Sequence, residues 1–326
     1  MIGTDELPAD QDSMEMSEWP YPLRIGTRGS PMAVRQTALV RDQLIAAQPG
    51  LGAAGAVETV IIRTTGDRVQ DRRLSEIGGK GLFTKEIEEA LLAGTIDLAV
   101  HSLKDMETWL PDGLEIACVL ARDDPRDALL SMKAASLAEL PTRARVGTAS
   151  LRRQAQLLRH RPDLSVAPIR GNVNTRMDKL ASGEFDAIIV ALCGLERLGL
   201  AGMARQILMP EVMLPAVGQG ALAVECRAGD DNVRQLLDPL HDPGTAACVG
   251  AERAMLAALD GSCRTPIAGL AERDGDRLTL EGLLLKADGS SEIRGRLIGD
   301  IGNATALGSA LGGELRSRAG PGFRLA

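Results

Sequence analysis

The chain has 326 residues, 44% of them hydrophobic and 25% charged, enough for two or three domains with their own cores and too apolar for wholesale disorder. Its formal charge of −7 and its few aromatics (three Phe, two Trp, one Tyr) argue against nucleic-acid binding and against attraction to an acidic membrane. Five cysteines without a C-x-x-C pair, and three histidines away from zinc spacing, argue against a disulfide scaffold and against any metal.

Residues 1–20 are polar and acidic and read as a disordered lead-in rather than a secretory signal. With no stretch of 18 apolar residues, the expectation is a soluble cytoplasmic protein. A strand is expected at 23–27, followed by Gly29-Ser30-Pro31, where Ser at the N-cap and Pro at the first helical position start a helix over 32–48. A strand at 57–63 precedes a Gly- and charge-rich stretch, 64–81. Helix 82–93, with Leu82, Phe83, Ile87 and Leu91 on one face, leads to strand 96–100. This alternation predicts a mainly parallel sheet covered by helices.

The pattern restarts with strand 145–148, helix 150–160, strand 165–169, helix 172–182 and strand 186–191. Both starts carry a Gly-Thr pair (Gly26-Thr27, Gly147-Thr148) and an early Arg-Gln (Arg35-Gln36, Arg153-Gln154). A strand at 222–226 is expected to return to the first sheet. From residue 242 a third region follows: helix 244–259, loop 260–266, strands near 267–272, 277–285 and 292–298, and helix 303–318. The expected class is α/β, with two α/β domains (21–121 with 215–240, and 122–214) and a small C-terminal α+β domain (241–326).

The main electrostatic feature is an island from Arg143 to Arg176, with eight arginines against one acid, Asp163. Thr148, Ser150, Arg152 and Arg153 fall at one strand-to-helix turn and Arg170-Gly171-Asn172 at the next, with Arg176 one helical turn on. Free backbone N–H groups and the helix dipole already favour an anion at such turns. Arg28 and Ser30 form the analogous turn in the first unit. All these turns share the carboxyl edge of a parallel sheet, a cradle for several carboxylates or phosphates. Arg159 and Arg161 read as solvated helix faces.

His101-Ser102-Leu103-Lys104-Asp105 follows strand 96–100, where Asp105 is placed to move a proton or stabilise a cation and Lys104 to bind a carboxylate. Cys118, Cys193 and Cys226 lie in strand-like apolar runs and Cys248 in an Ala-rich helix, whereas Cys263 sits in a Gly- and Pro-bounded loop beside Arg264. That setting favours a reactive thiolate and points to covalent attachment or, equally, to an ordinary loop cysteine. Gly78-Gly79-Lys80-Gly81 lacks the spacing of a phosphate loop and reads as a lid segment.

In order and spacing, ten segments from about residue 22 to 300 resemble the porphobilinogen deaminase (hydroxymethylbilane synthase) family. They are Ile25-Gly26-Thr27-Arg28-Gly29-Ser30-Pro31, Gly78-Gly79-Lys80-Gly81-Leu82-Phe83, His101-Ser102-Leu103-Lys104-Asp105, Asp124-Pro125-Arg126-Asp127-Ala128, Val146-Gly147-Thr148, Leu151-Arg152-Arg153-Gln154, Ile169-Arg170-Gly171-Asn172-Val173, Thr175-Arg176, Leu214-Pro215-Ala216-Val217-Gly218-Gln219-Gly220 and Gly261-Ser262-Cys263.

The resemblance implies two periplasmic-binding-protein-like α/β domains plus a small α+β domain. It implies a cytoplasmic, monomeric transferase of tetrapyrrole (heme) biosynthesis that joins four porphobilinogens into hydroxymethylbilane with loss of four ammonia, without a nucleic-acid or membrane partner. One dipyrromethane cofactor per chain would be thioether-linked to Cys263 and held by Ser102, Lys104, Thr148, Ser150, Arg152, Arg153, Arg170, Asn172 and Gln219. Substrate carboxylates would meet Arg28, Ser30, Arg170, Arg176 and Arg197, with Ala191 lining the site and Lys80 and Phe83 on the lid; Asp105 would be the catalytic acid and base. Ala149 stands where the family often has Ser, and Glu107 where Pro is usual, which implies a lost hydroxyl contact and a looser loop around Asp105. The alternative is a two-domain binding protein for an anionic small molecule, which has no use for Cys263 or a third domain.

Overall fold

The computed structural model describes residues 22–68, 81–261, 265–320 and 323. The lead-in 1–20, Lys80 with most of its Gly-rich segment, and Cys263 lie outside the described residues.

The first unit runs β1 (Leu23–Arg28), α1 (Pro31–Ala47), β2 (Val57–Ile62), α2 (Thr65–Arg68), α3 (Lys85–Leu92), β3 (Leu98–Ser102) and β4 (Leu114–Val119). Ser30 caps α1 by accepting the Ala33 N–H at 3.2 Å, with Pro31 at the first helical position. α3 starts later than the apolar spacing suggests: Thr84 occupies its N-cap, and Leu82 and Phe83 belong to the preceding turn.

The second unit runs β5 (Asp127–Ser131), β6 (Arg145–Gly147), α4 (Leu151–His160), β7 (Ser165–Ala167), α5 (Val173–Ala181), β8 (Ala187–Ala191), α6 (Leu192–Arg197) and β9 (Gln206–Leu208). The chain continues through β10 (Leu222–Arg227), α7 (Asp231–Leu237), α8 (Pro243–Ala258), β11 (Ile267–Asp274), β12 (Arg277–Leu285), β13 (Glu292–Asp300) and α9 (Ala304–Ala319). Cys193 therefore lies in α6 rather than in a strand; its apolar run spans the end of β8 and the start of that helix.

The two large sheets have equivalent orders, β2-β1-β3-β10-β4 and β7-β6-β8-β5-β9. In each, four strands run the same way and one, β10 or β5, runs against its two neighbours, so both sheets are mainly parallel, as the alternation predicts. Alternating strands and helices do not reveal the reversed strand, because β5 and β10 arrive from crossing segments without a helical crossover. The segments cross at Gly220, whose φ of +93° suits glycine and where a Cβ would lie 2.4 Å from the Asp123 carbonyl oxygen.

The third sheet, β11-β12-β13, packs one face on α8 and α9 around Met255, Leu280, Leu311 and Leu315. Its other face meets Ala155 of α4 and Leu214 through Ala268, Leu270, Leu283 and Leu285. Glu252 of α8 is fully buried and accepts from Arg122 Nη1 (2.6 Å), Gly218 N (2.7 Å) and Ala271 N (2.8 Å). One carboxylate thus ties the third unit to both crossing segments.

Candidate active site

β1 and β3 end side by side, so their carboxyl ends deliver Arg28, Ser30, Ser102 and Asp105 to one place. With Gln36 and Phe83 they line a cleft that opens to solvent. Ser102 Oγ is held by Gln36 Nε2 at 2.8 Å, and the Arg28 guanidinium lies 4.0 Å from the centre of the Phe83 ring, a cation–π contact. Asp105 ends a short 3-10 turn, Leu103–Asp105, whose Leu103 N–H donates to Ala221 O at 3.1 Å.

Next to Asp105, Lys104 Nζ donates to Gln219 Oε1 at 3.3 Å. Gln219 is fully buried and donates through Nε2 to Pro125 O (2.6 Å) and Asp127 Oδ1 (2.8 Å). Asp127, also fully buried, accepts from Arg152 Nη2 (2.7 Å) and Arg153 Nη2 (2.8 Å). A polar chain therefore runs from the turn of the first unit, through Gln219 and Asp127, to the start of α4 in the second. Asp127 was seen in sequence only as part of a motif; its signal was an acid opening the apolar strand Asp127–Ser131.

The arginine island divides by role. Arg152 and Arg153 are 3% and 7% exposed, and their remaining η nitrogens donate to Leu214 O (2.6 Å) and Ile189 O (3.1 Å). Each keeps one buried donor without a partner, Nε. Arg176 donates through Nε to Gly171 O at 2.9 Å, and burial beside Arg153 and Arg170 pulls its pKa down to about 10. Lys104 is likewise pulled down, first by burial and then by Arg153. Burial opposes the charge on Asp127, but the Arg152 and Arg153 guanidiniums outweigh it and hold the carboxyl well below the usual range. The arrangement is a buried cluster in which cations repel one another, a setting for a ligand with several carboxylates.

Thr148 is buried and its Oγ1 accepts the Ser150 N–H at 3.2 Å, while Ser150 and Asn172 cap α4 and α5. Ala191 holds the N-cap position of α6 opposite Asp127 in the ladder. Arg197 lies at the crossing, donating to Asp123 Oδ2 (2.8 Å) and Gly220 O (2.7 Å). Arg159 is half exposed near Glu292, but Arg161 is no solvated side chain: it donates to Leu137, Ala138 and Leu140 carbonyls and pairs with Asp163. Glu107 is tied rather than loose, since its Oε1 accepts the Gly81 N–H at 3.2 Å and its carbonyl accepts from Arg253 at 2.7 Å. Among the described residues no group of three or more His, Cys, Asp or Glu is placed to hold a metal ion.

Two family models match the chain: "Porphobilinogen deaminase, dipyromethane cofactor binding domain" over residues 23–235 and "Porphobilinogen deaminase, C-terminal domain" over 246–317. The chain belongs to the porphobilinogen deaminase family. The first match spans both large sheets and every cation of the cleft described above. Porphobilinogen deaminase of Paracoccus denitrificans is 53% identical over 309 residues, covering 95% of this chain and 98% of that protein. The chloroplastic porphobilinogen deaminase of Oryza sativa is 50% identical over 304 residues, covering 92% and 85%. Among solved structures, a periplasmic substrate-binding protein from Coxiella burnetii aligns with a TM-score of 0.43 at 17% identity, over 71% of this chain and 96% of that one.

Proposed function

We propose that this porphobilinogen deaminase family member joins four porphobilinogens into hydroxymethylbilane, releasing four ammonia, in tetrapyrrole (heme) biosynthesis. The observation that carries the reading is the Lys104–Gln219–Asp127–Arg153 chain, which sets the Asp105 turn against a crowded cation cluster. A pyrrole bearing an acetate and a propionate brings the negative charge that this cluster lacks.

The dipyrromethane cofactor fits the residues present. Arg153 keeps a buried, unpartnered Nε, and Arg176 and Lys104 are both pulled down by burial among like charges that carboxylates would relieve. Lys104, Arg153, Arg170 and Gln219 would hold it, with Ser102, Thr148, Ser150 and Asn172 at the adjoining turns. Arg152 acts mainly as a brace, because its η nitrogens are fixed on Leu214 and Asp127. When bound through Cys263, the group would supply the free pyrrole α-carbon that takes the first ring, each later ring adding to the end of the growing chain.

The chain's own residues do the rest. Arg28, Ser30 and Arg176 orient the incoming carboxylates, with Arg197 and Ala191 at the back of the site and Lys80 and Phe83 on the segment before α3. Asp105 Oδ stabilises the positive charge that develops on the pyrrole as ammonia leaves, then accepts the proton lost from the ring carbon. The protein acts as a cytoplasmic monomer.

Intact mass decides the covalent part: purified protein is expected to carry an adduct of dipyrromethane size that Cys263→Ala abolishes. Asp105→Asn is expected to keep its fold and lose turnover by about 100-fold or more. Unmodified wild-type mass with tight binding of an anionic ligand would instead favour a non-catalytic binding protein.

A further inference from the structure

His101, at the wall of the cleft beside Ser102, belongs to a buried pair that the chemistry assigned to Asp105 does not use. His101 and Glu225 are 5% and 0% exposed, and His101 Nε2 stands 3.0 Å from Glu225 Oε2. In the antiparallel ladder Ala99 lies opposite Glu225 and Ala223 opposite His101, so the two side chains meet diagonally on the sheet face away from Ser102. Neither Glu225 oxygen nor His101 Nε2 has an aligned hydrogen bond, and the 3.0 Å approach is the contact between them.

A carboxylate this far from water needs a charge beside it. An imidazole supplies that charge only with its second proton. Glu88 of α3 and Arg253 of α8 also act on Glu225, and Glu107 after the Asp105 turn acts on both of them. Among these groups three carboxyls face one guanidinium and the His101 imidazole. Burial already pushes the Glu88 carboxyl above its ordinary range, and the Glu225 charge adds to that push.

The pair sits where the Asp105 turn leaves the sheet. Ser102, directly after His101, pairs with Leu222, and the Leu103 N–H closes onto Ala221 O. We propose that His101 and Glu225 are positioning residues, a buried pair that holds the end of β3 on β10 and thereby fixes Asp105 in the cleft. The inference rests on the reading of Asp105 as catalytic. Loss of the imidazole leaves Glu225 buried without its neighbour, so the end of β3 loosens and turnover falls.

The test is steady-state kinetics at neutral pH on wild type, His101→Gln, Glu225→Gln and the double variant, each shown by intact mass to carry the wild-type adduct. His101→Gln is expected to lower kcat about tenfold with KM within about twofold, and adding Glu225→Gln to restore about threefold of that loss. Glu225→Gln alone is expected to lower kcat modestly. A double variant no faster than His101→Gln overturns the proposal. Should His101→Gln not fold, the double variant decides: its failure to fold as well overturns the proposal. Asp105 is judged apart: turnover retained in Asp105→Asn refutes its role, whereas loss there with no rescue in the double variant refutes only the pair.

Discussion

Asp127 Oδ1 lies 2.8 Å from Arg153 Nη2 with both side chains out of water, and the second carboxylate oxygen is 2.7 Å from Arg152 Nη2. One buried acid therefore organises two of the site's arginines. Breaking such a pair leaves an uncompensated buried charge, so Asp127→Asn is expected to lower unfolding free energy by about 3–5 kcal/mol. The folded carboxyl sits below its unfolded value, so the unfolded chain takes up the proton first as pH falls. The stability this pair contributes is whole above about pH 5 and is lost progressively below that. Denaturant titrations at neutral and acid pH check it: the wild type should lose stability over that window, and Asp127→Asn should lose less.

Sequence showed where the cations would gather, because Ser30, Ser150 and Asn172 are N-caps legible from residue type and spacing. It did not show which cations are available to a ligand. Arg152 and Arg161 look alike on paper, yet one is fixed on Asp127 and the other on three backbone carbonyls. Their partners are 21 to 62 residues away, beyond the reach of local pattern. The expected strand at 222–226 does return to the first sheet as β10; what the same limit hid is its place between β3 and β4, more than a hundred residues from either. Nothing local to His101 points to its partner Glu225, which lies across that long-range ladder.

Arg122 and Glu252 form a second coupled pair, joining the crossing segment to α8, the helix that leads toward Cys263. Glu252 raises the Arg122 pKa despite burial, the sign of a net favourable pair. Arg122→Met is expected to cost about 3–5 kcal/mol, and adding Glu252→Gln to recover at least about 1 kcal/mol, because the buried charge goes with its partner. Chemical denaturation of both variants measures this; strictly additive losses would show that the two residues act independently.

Lys104 gives the site a pH dependence of its own. Burial pulls its pKa below that of an ordinary lysine, so its charge is lost at lower pH than in water. Carboxylate capture weakens as that proton leaves, so KM should rise at alkaline pH. Lys104→Arg keeps its charge and should flatten the rise, while its bulkier fork lowers kcat/KM at neutral pH about tenfold. A KM profile identical in the two proteins would exclude Lys104 as its source.

Arg176 carries the clearest conflict between binding and stability. Burial and the charges of Arg153 and Arg170 disfavour its cation, while among the described hydrogen bonds its Nε meets only the Gly171 carbonyl. Arg176→Met keeps much of the packing and removes the repulsion, so thermal stability should hold or rise by about 0.5–1 kcal/mol. A carboxylate deprived of one charged donor loses about 1.5–3 kcal/mol, so KM should rise roughly 10- to 100-fold. Differential scanning calorimetry and kinetics on the same preparation test both halves. If KM stays put, Arg176 does not bind substrate; if stability drops with it, the cation braces α5 instead of being held there for a ligand.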